Sequence, residues 1–463
     1  MINKQSVNQK VAIAPSERDG NLLNNKLLAM FIRSKWYPAL FQWLTASAFI
    51  IIMFQLLVGP SKAHDNLGTA LTWVLWWPLI PIIFLLLGRF WCAICPFATL
   101  SDLVQKFVGN NRPMPKFLKK YGIWIIDAIF ILITWSDHVF GIVESPWGSG
   151  VLMLGLTTGV VVSGAFWERR TWCRTLCFLG GLSGNYARTG MLALRGTPEK
   201  CSKCTIAACY KGTENAPGCP LFEFPKTMES NANCNVCGHC VKNCPNDSIR
   251  LTLRFPTKEL WTMRKPKIEG AFLSVVIMGI VFVQNITMLE VWQSILSWLE
   301  KVTGTQSYYV TFTITFFIAM IIPVLLLALA AWIAKKLNGD SLLQNFAKFG
   351  YAIIPLDIAA HIGHNLFHML AEGKSVVYTA MVLFGKNVEG LSPTLLDSSS
   401  IQILQYILIV LGVAGSIYTA YRISKHNYGQ GNVVLKFAPY AVLMLLLMVV
   451  NIALFMLPMA MRM

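Results

Sequence analysis

Apolar residues in this chain come in long runs. Nine stretches of about twenty residues are predominantly apolar, near 37–58, 69–90, 121–141, 149–167, 269–288, 309–334, 350–372, 401–421 and 437–458. Coiled as α-helix, a run of that length matches the hydrocarbon thickness of a bilayer. A polar tract, 168–267, separates the fourth run from the fifth. The segment 289–300 has apolar residues at helical spacing and is expected to lie on the outer membrane surface. The pattern predicts an all-α polytopic membrane protein with about nine transmembrane helices. Its expected units are a terminal segment 1–36, a four-helix membrane domain 37–167, a soluble domain 168–267 and a five-helix membrane domain 268–463.

Composition agrees. Of 463 residues, 55% are hydrophobic and only 13% charged, which a soluble chain of this length would not show. The formal net charge is +17. Lys106, Arg112, Lys116, Lys119, Lys120, Lys335, Lys336, Lys348, Arg422, Lys425 and Lys436 fall in alternate loops. By the positive-inside rule those loops, the N-terminal segment and the soluble domain face the cytoplasm of a cell inner membrane. The charge is spread over many short loops, which argues against nucleic-acid binding.

The polar tract carries ten of the 12 cysteines, eight of them in two ferredoxin-type runs. Cys234-x2-Cys237-x2-Cys240-x3-Cys244-Pro245 has the bacterial iron–sulfur spacing. Cys201-x2-Cys204-x4-Cys209-x9-Cys219-Pro220 is a looser copy. In this pattern three close cysteines wrap one cubane and the cysteine before proline reaches the other. One [4Fe–4S] cluster is therefore expected on Cys201, Cys204, Cys209 and Cys244, and a second on Cys234, Cys237, Cys240 and Cys219. A zinc ribbon or a disulfide framework is the alternative; neither explains two interleaved copies each ending in Cys-Pro. These residues resemble the two-cluster bacterial ferredoxin, which implies a small α+β domain.

A second duplication precedes those two cysteine runs. Arg89-Phe90-Trp91-Cys92-Ala93-Ile94-Cys95-Pro96 is matched by Arg170-Thr171-Trp172-Cys173-Arg174-Thr175-Leu176-Cys177. Each follows a run expected to end at the cytoplasm, and each continues to a Leu-Ser pair. The four thiols of Cys92, Cys95, Cys173 and Cys177 could hold a third iron–sulfur cluster at the membrane edge. Reduced thiols, a disulfide pair or a zinc clip are the other readings. Paired Trp-Cys motifs ahead of a two-cluster ferredoxin domain resemble the NapH/NosR-type membrane polyferredoxin family over about 37–255. The resemblance implies electron transfer between the quinone pool and a periplasmic or membrane redox partner such as a cytochrome. The chain departs from that family's C-x3-C-P motif. The first pair has two intervening residues, and the second lacks the proline. No flavin-binding domain is evident, and the C-terminal half is additional.

Inside the seventh run, Asp357, His361, His364, His368 and Glu372 fall within about 80° of one another on a helix. Ionisable groups at membrane depth are costly and mark function by default. Three uses compete with a simple polar seam between helices. The histidines could ligate haem b with His138 or His64 as outer partners, chelate another metal ion, or take protons from a quinol. The expected function is an iron–sulfur electron-transfer protein, an oxidoreductase subunit resembling a quinol dehydrogenase. The alternative is a membrane metalloreductase or maturation factor passing electrons to a bound metal or haem. A redox sensor is a third reading, without an evident output module.

Overall fold

A computed structural model describes residues 20–457, apart from 389 and 430. The expected segment 1–36 therefore lies partly outside the described residues. Among them, eight helices are long and apolar enough to cross a membrane. They are Ala39–Val58, the composite Leu67–Val108, Lys116–Phe140, Pro146–Phe166, Ile268–Ile286, Tyr308–Asn338, Ser398–Tyr428 and Val433–Met456. The expected seventh span is the helix Ile354–Ala371, whose aspartate and histidines keep it from being apolar enough to join those eight. It runs the height of the bundle antiparallel to Ser398–Tyr428. Ser416 Oγ donates to Ile353 O and accepts from Leu356 N near one end. Gln405 Nε2 meets Gly363 O midway, and Leu395 N meets Leu370 O at the other end. Ile354–Ala371 also packs on Ile268–Ile286 and Trp77–Leu87, so protein rather than lipid surrounds its polar residues.

Ile268–Ile286 is the centre of the molecule. It contacts Lys116–Phe140 from the first half and Tyr308–Asn338 and Leu342–Gly350 from the second. Gly279 and Gly350 let neighbours close in; a Cβ on Gly350 would stand 2.7 Å from Ala271 Cβ. The amphipathic segment forms Val291–Thr303, with Trp292, Leu296 and Leu299 buried and Trp298 and Val302 exposed.

The cysteine-rich domain caps one end of the bundle. Two strands, Leu192–Gly196 and Ile249–Leu253, pair antiparallel with Leu192 opposite Leu253. The short helix Lys258–Trp261 is tied to them through the buried side chain of Glu259, which pairs with Arg195 and Arg254. Trp261 packs against Tyr418, and the Arg422 guanidinium lies 4.1 Å over the Trp261 ring. Asp340 binds Lys348 and Tyr428 at the same end. The basic loops therefore share the cysteine domain's end of the bundle. The helix Ser375–Leu383 lies at the opposite end, on Leu67–Thr69 and Ala63–Asp65.

Candidate functional site

Eight cysteines of the capping domain line two cavities. Cys201, Cys204, Cys209 and Cys244 border one; Cys219, Cys234, Cys237 and Cys240 border the other. The two cavities are of about equal size, as two groups of one kind would need. The groups of four are the interleaved sets, with each Cys-Pro cysteine crossing to the other loop.

Local geometry repeats around the two cavities. Cys209 and Cys240 each sit second in a short helix, Ala208–Lys211 and His239–Asn243. Each helix is preceded by a residue in the left-handed region, Ala207 (φ 53°) and Gly238 (φ 77°). After each Cys-Pro the backbone turns left-handed again, at Phe222 (φ 58°) and Asp247 (φ 44°). These turns aim Glu223 N–H at Cys219 Sγ and Ser248 N–H at Cys244 Sγ, both at 3.3 Å. Positive φ at residues with a Cβ is strained and is kept where the surroundings enforce it. N–H donors pointed at sulfur favour the thiolate. Burial works against it, pushing the Cys234 thiol up to about 12 and Cys219 to about 11. A cationic cluster would offset that cost, because a coordinating thiol is deprotonated outright. The donor sets therefore fit cubane iron–sulfur clusters. Among the described residues no three His, Cys, Asp or Glu groups converge closely enough for one metal ion, as a zinc ribbon requires.

The two duplicated motifs come together beneath this domain. Gly88 (φ 61°) ends Trp77–Leu87, and a short helix, Trp91–Ile94, then carries Cys92. Cys95 is extended and precedes Pro96–Val108. In the second copy Thr171–Thr175 carries Cys173, and extended Cys177 precedes Phe178–Ala187. Each of the four thiols lies within electrostatic reach of the other three. Two buried arginines lock the copies reciprocally. Arg89 of the first donates from Nη2 to Cys173 O at 3.1 Å and from Nη1 to Ala232 O at 2.8 Å. Arg170 of the second donates from Nη1 to Cys92 O at 3.1 Å and grips Asp102 with Nε and Nη2. No role for Arg89 or Arg170 was read from the sequence. Their matched positions in the two motifs were the available clue to a further role. Gly180 permits the close approach; a Cβ there would lie 2.4 Å from Cys173 O.

The second cavity rests on this four-cysteine cluster. Cys237 packs against Ala93 and Ile94. Leu221, two residues after Cys219, packs against Trp172 and Cys173, with Cys95 and Cys177 alongside. Arg170 is within electrostatic reach of both Cys173 and Cys237.

The polar stripe does not act as one face. His361 Nδ1 lies 3.2 Å from the Tyr186 hydroxyl, and its ring meets Trp77. His364 Nδ1 lies 2.9 Å from Asn285 Oδ1. His368 sits 3.7 Å from Glu372 at the far end. Asp357 is fully buried, and no hydrogen-bond partner reaches either carboxylate oxygen among the described residues. The expected haem partners are placed elsewhere. His138 stacks on Phe312 and reaches Thr134 O, and His64 is exposed beside Asp65. Tyr186 was not legible in the sequence; it arrives from Phe178–Ala187. The same helix brings Ser183 Oγ to 3.4 Å from Cys92 Sγ. One short helix thus touches the cysteine cluster and the stripe.

The fold is a polytopic helical bundle capped by a two-cavity cysteine domain. A family model described as a 4Fe-4S binding domain matches twice, at 69–115 and 149–195. Each match contains one duplicated cysteine pair. The chain is 25% identical over 239 residues to YccM of Escherichia coli (strain K12), provisionally named an electron transport protein. That alignment covers 46% of this chain and 64% of YccM. It is 20% identical over 254 residues to the ferredoxin-type protein NapH of the same organism, covering 50% of this chain and 86% of NapH. No solved structure matches. The chain is thus similar to NapH and YccM over about half of its length.

Proposed function

We propose that the protein carries single electrons along sulfur-lined centres arranged in series, from the surface of the capping domain to the membrane edge. The stacking of Cys237 and Leu221 on the four-cysteine cluster carries this reading. Cys201, Cys204, Cys209 and Cys244 would hold the outer cluster. Cys219, Cys234, Cys237 and Cys240 would hold the inner one. Cys92, Cys95, Cys173 and Cys177 would hold a third. When bound, such clusters supply one-electron storage, with potentials set by burial and hydrogen bonds to sulfur. The chain excludes water with Leu221, Trp172 and Ile94, and it directs N–H groups at Cys219 and Cys244. The basic loops at the same end of the bundle support a cytoplasmic side for the capping domain. Protein purified without air should contain about eight iron and eight acid-labile sulfide for two clusters, or about twelve of each with the third. Zinc in place of iron would overturn the assignment.

The membrane end exchanges with the quinone pool, His361 and Asp357 take the protons that quinol oxidation releases, and Tyr186 orients His361 through its hydroxyl. Buried carboxylate and imidazole beside the helix that touches Cys92 support this reading over haem ligation. A membrane or periplasmic redox protein such as a cytochrome is the expected partner at this end. His361→Gln and Asp357→Asn should slow quinol-driven cluster reduction about 100-fold, the scale of a lost acid–base group. Reduction by dithionite should be unchanged. Full quinol-driven rates in both variants would leave the stripe a packing seam.

A further inference from the structure

The two cavities of the capping domain differ in what surrounds them. In one cavity Cys234 and Cys237 are buried, whereas all four cysteines of the other are partly exposed. Beside Cys204, Ile206 stands out with 60% of its surface exposed. Lysines ring this point. Lys200 and Lys203 flank the first two cysteines, Lys211 ends the helix carrying Cys209, and Lys226 lines the cavity itself. All four are exposed. Lys226 Nζ lies 3.3 Å from Cys204 O, and Lys200 Nζ is 3.1 Å from Asn246 O. Both ammonium groups are thus held by carbonyls. The nearby Asp247 is neutralised by Arg33 at 2.6 Å, leaving Glu199 and Glu214 as the exposed carboxylates of residues 199–214. The rim is therefore net positive.

We propose that this face docks an acidic, soluble, single-electron carrier protein, which exchanges one electron with the outer centre while no bond is made or broken. The proposal rests on the iron–sulfur reading of that cavity. A small apolar knob in a basic ring suits a brief encounter. Complementary charge steers the partner in, and the limited apolar contact lets it leave. The relay needs such an end, and the outer cavity is the one of the three cysteine sets with no fully buried member.

Full-length protein in detergent would be mixed anaerobically with a reduced, acidic plant-type ferredoxin, and cluster reduction followed by stopped flow. The second-order rate should fall at least about tenfold between about 50 and about 500 mM salt. Lys203→Glu with Lys211→Glu should lower the low-salt rate at least about tenfold and flatten the salt dependence, with iron content unchanged. Ile206→Ser should lower the rate and leave the salt dependence intact. Lys335→Glu with Lys336→Glu, on the same end of the bundle, should change neither. A wild-type rate indifferent to salt, a Lys203/Lys211 variant within about twofold of wild type, or an equal loss in the Lys335/Lys336 control would overturn the docking face. Wild-type protein with no cubane signal would instead overturn the iron–sulfur reading beneath it.

Discussion

Replacing Cys244 by alanine is expected to abolish the same cubane signal as replacing Cys201, Cys204 or Cys209. It should leave intact the signal that depends on Cys234, Cys237, Cys240 and Cys219. In sequence Cys244 belongs with Cys240, four residues away. In space it borders the cavity of Cys201, Cys204 and Cys209, with its sulfur facing Ser248 N–H. The loss should be about four of eight ferredoxin-domain irons. Stability should fall with it, because metal-binding energy is folding energy where ligands come from separate loops. The strands Leu192–Gly196 and Ile249–Leu253 bracket both loops, so their pairing should loosen as well. Electron paramagnetic resonance and iron analysis on the eight single variants check this. If Cys244→Ala removes the signal that Cys240→Ala removes, the loops are not interleaved.

The second large effect is expected at the clamp beneath the domain. Asp102→Ala should destabilise the membrane domain by about 3 kcal/mol, since it strands a buried charge. Arg170 is 2% exposed on its side chain, and among the described residues its remaining hydrogen-bond partner would be Cys92 O. Arg170→Met should cost less, about 1–2 kcal/mol, because Asp102 is 42% exposed and water can take over its charge. The double variant, Arg170→Met with Asp102→Leu, should recover part of the Asp102→Ala loss. Thermal unfolding in detergent reads the order. Any signal that depends on Cys92 and Cys173 should weaken in all three variants. If Arg170→Met proves the costlier single change, the pair is not a buried charge held by its partner.

How far the sequence reaches can be seen at particular residues. Helix existence was legible because a bilayer demands runs of a fixed length, and the eight apolar helices lie where those runs fall. The seventh expected run shows the limit. Its residues do form Ile354–Ala371, but Asp357 and the three histidines make it too polar to face lipid. Only its enclosure by Ser398–Tyr428, Ile268–Ile286 and Trp77–Leu87 shows how it is accommodated. The 100° spacing put Asp357, His361, His364, His368 and Glu372 on one side. It said nothing of Tyr186, Trp77 and Asn285, which divide them among different partners.

By itself the sequence determined the helical membrane class and the duplicated Trp-Cys motifs, and it sorted eight cysteines into the two sets of four that border the two cavities. Each of these depends on spacing over a few residues or on the length of one run, and covalent geometry carries that information. Only the tertiary structure decided which centre lies above which. It also crossed Arg89 with Cys173 and Arg170 with Cys92, and it joined the cysteine cluster to His361 through Phe178–Ala187. Those contacts join residues tens to hundreds of positions apart. They follow from how the whole bundle packs around Ile268–Ile286, and no local periodicity encodes that packing.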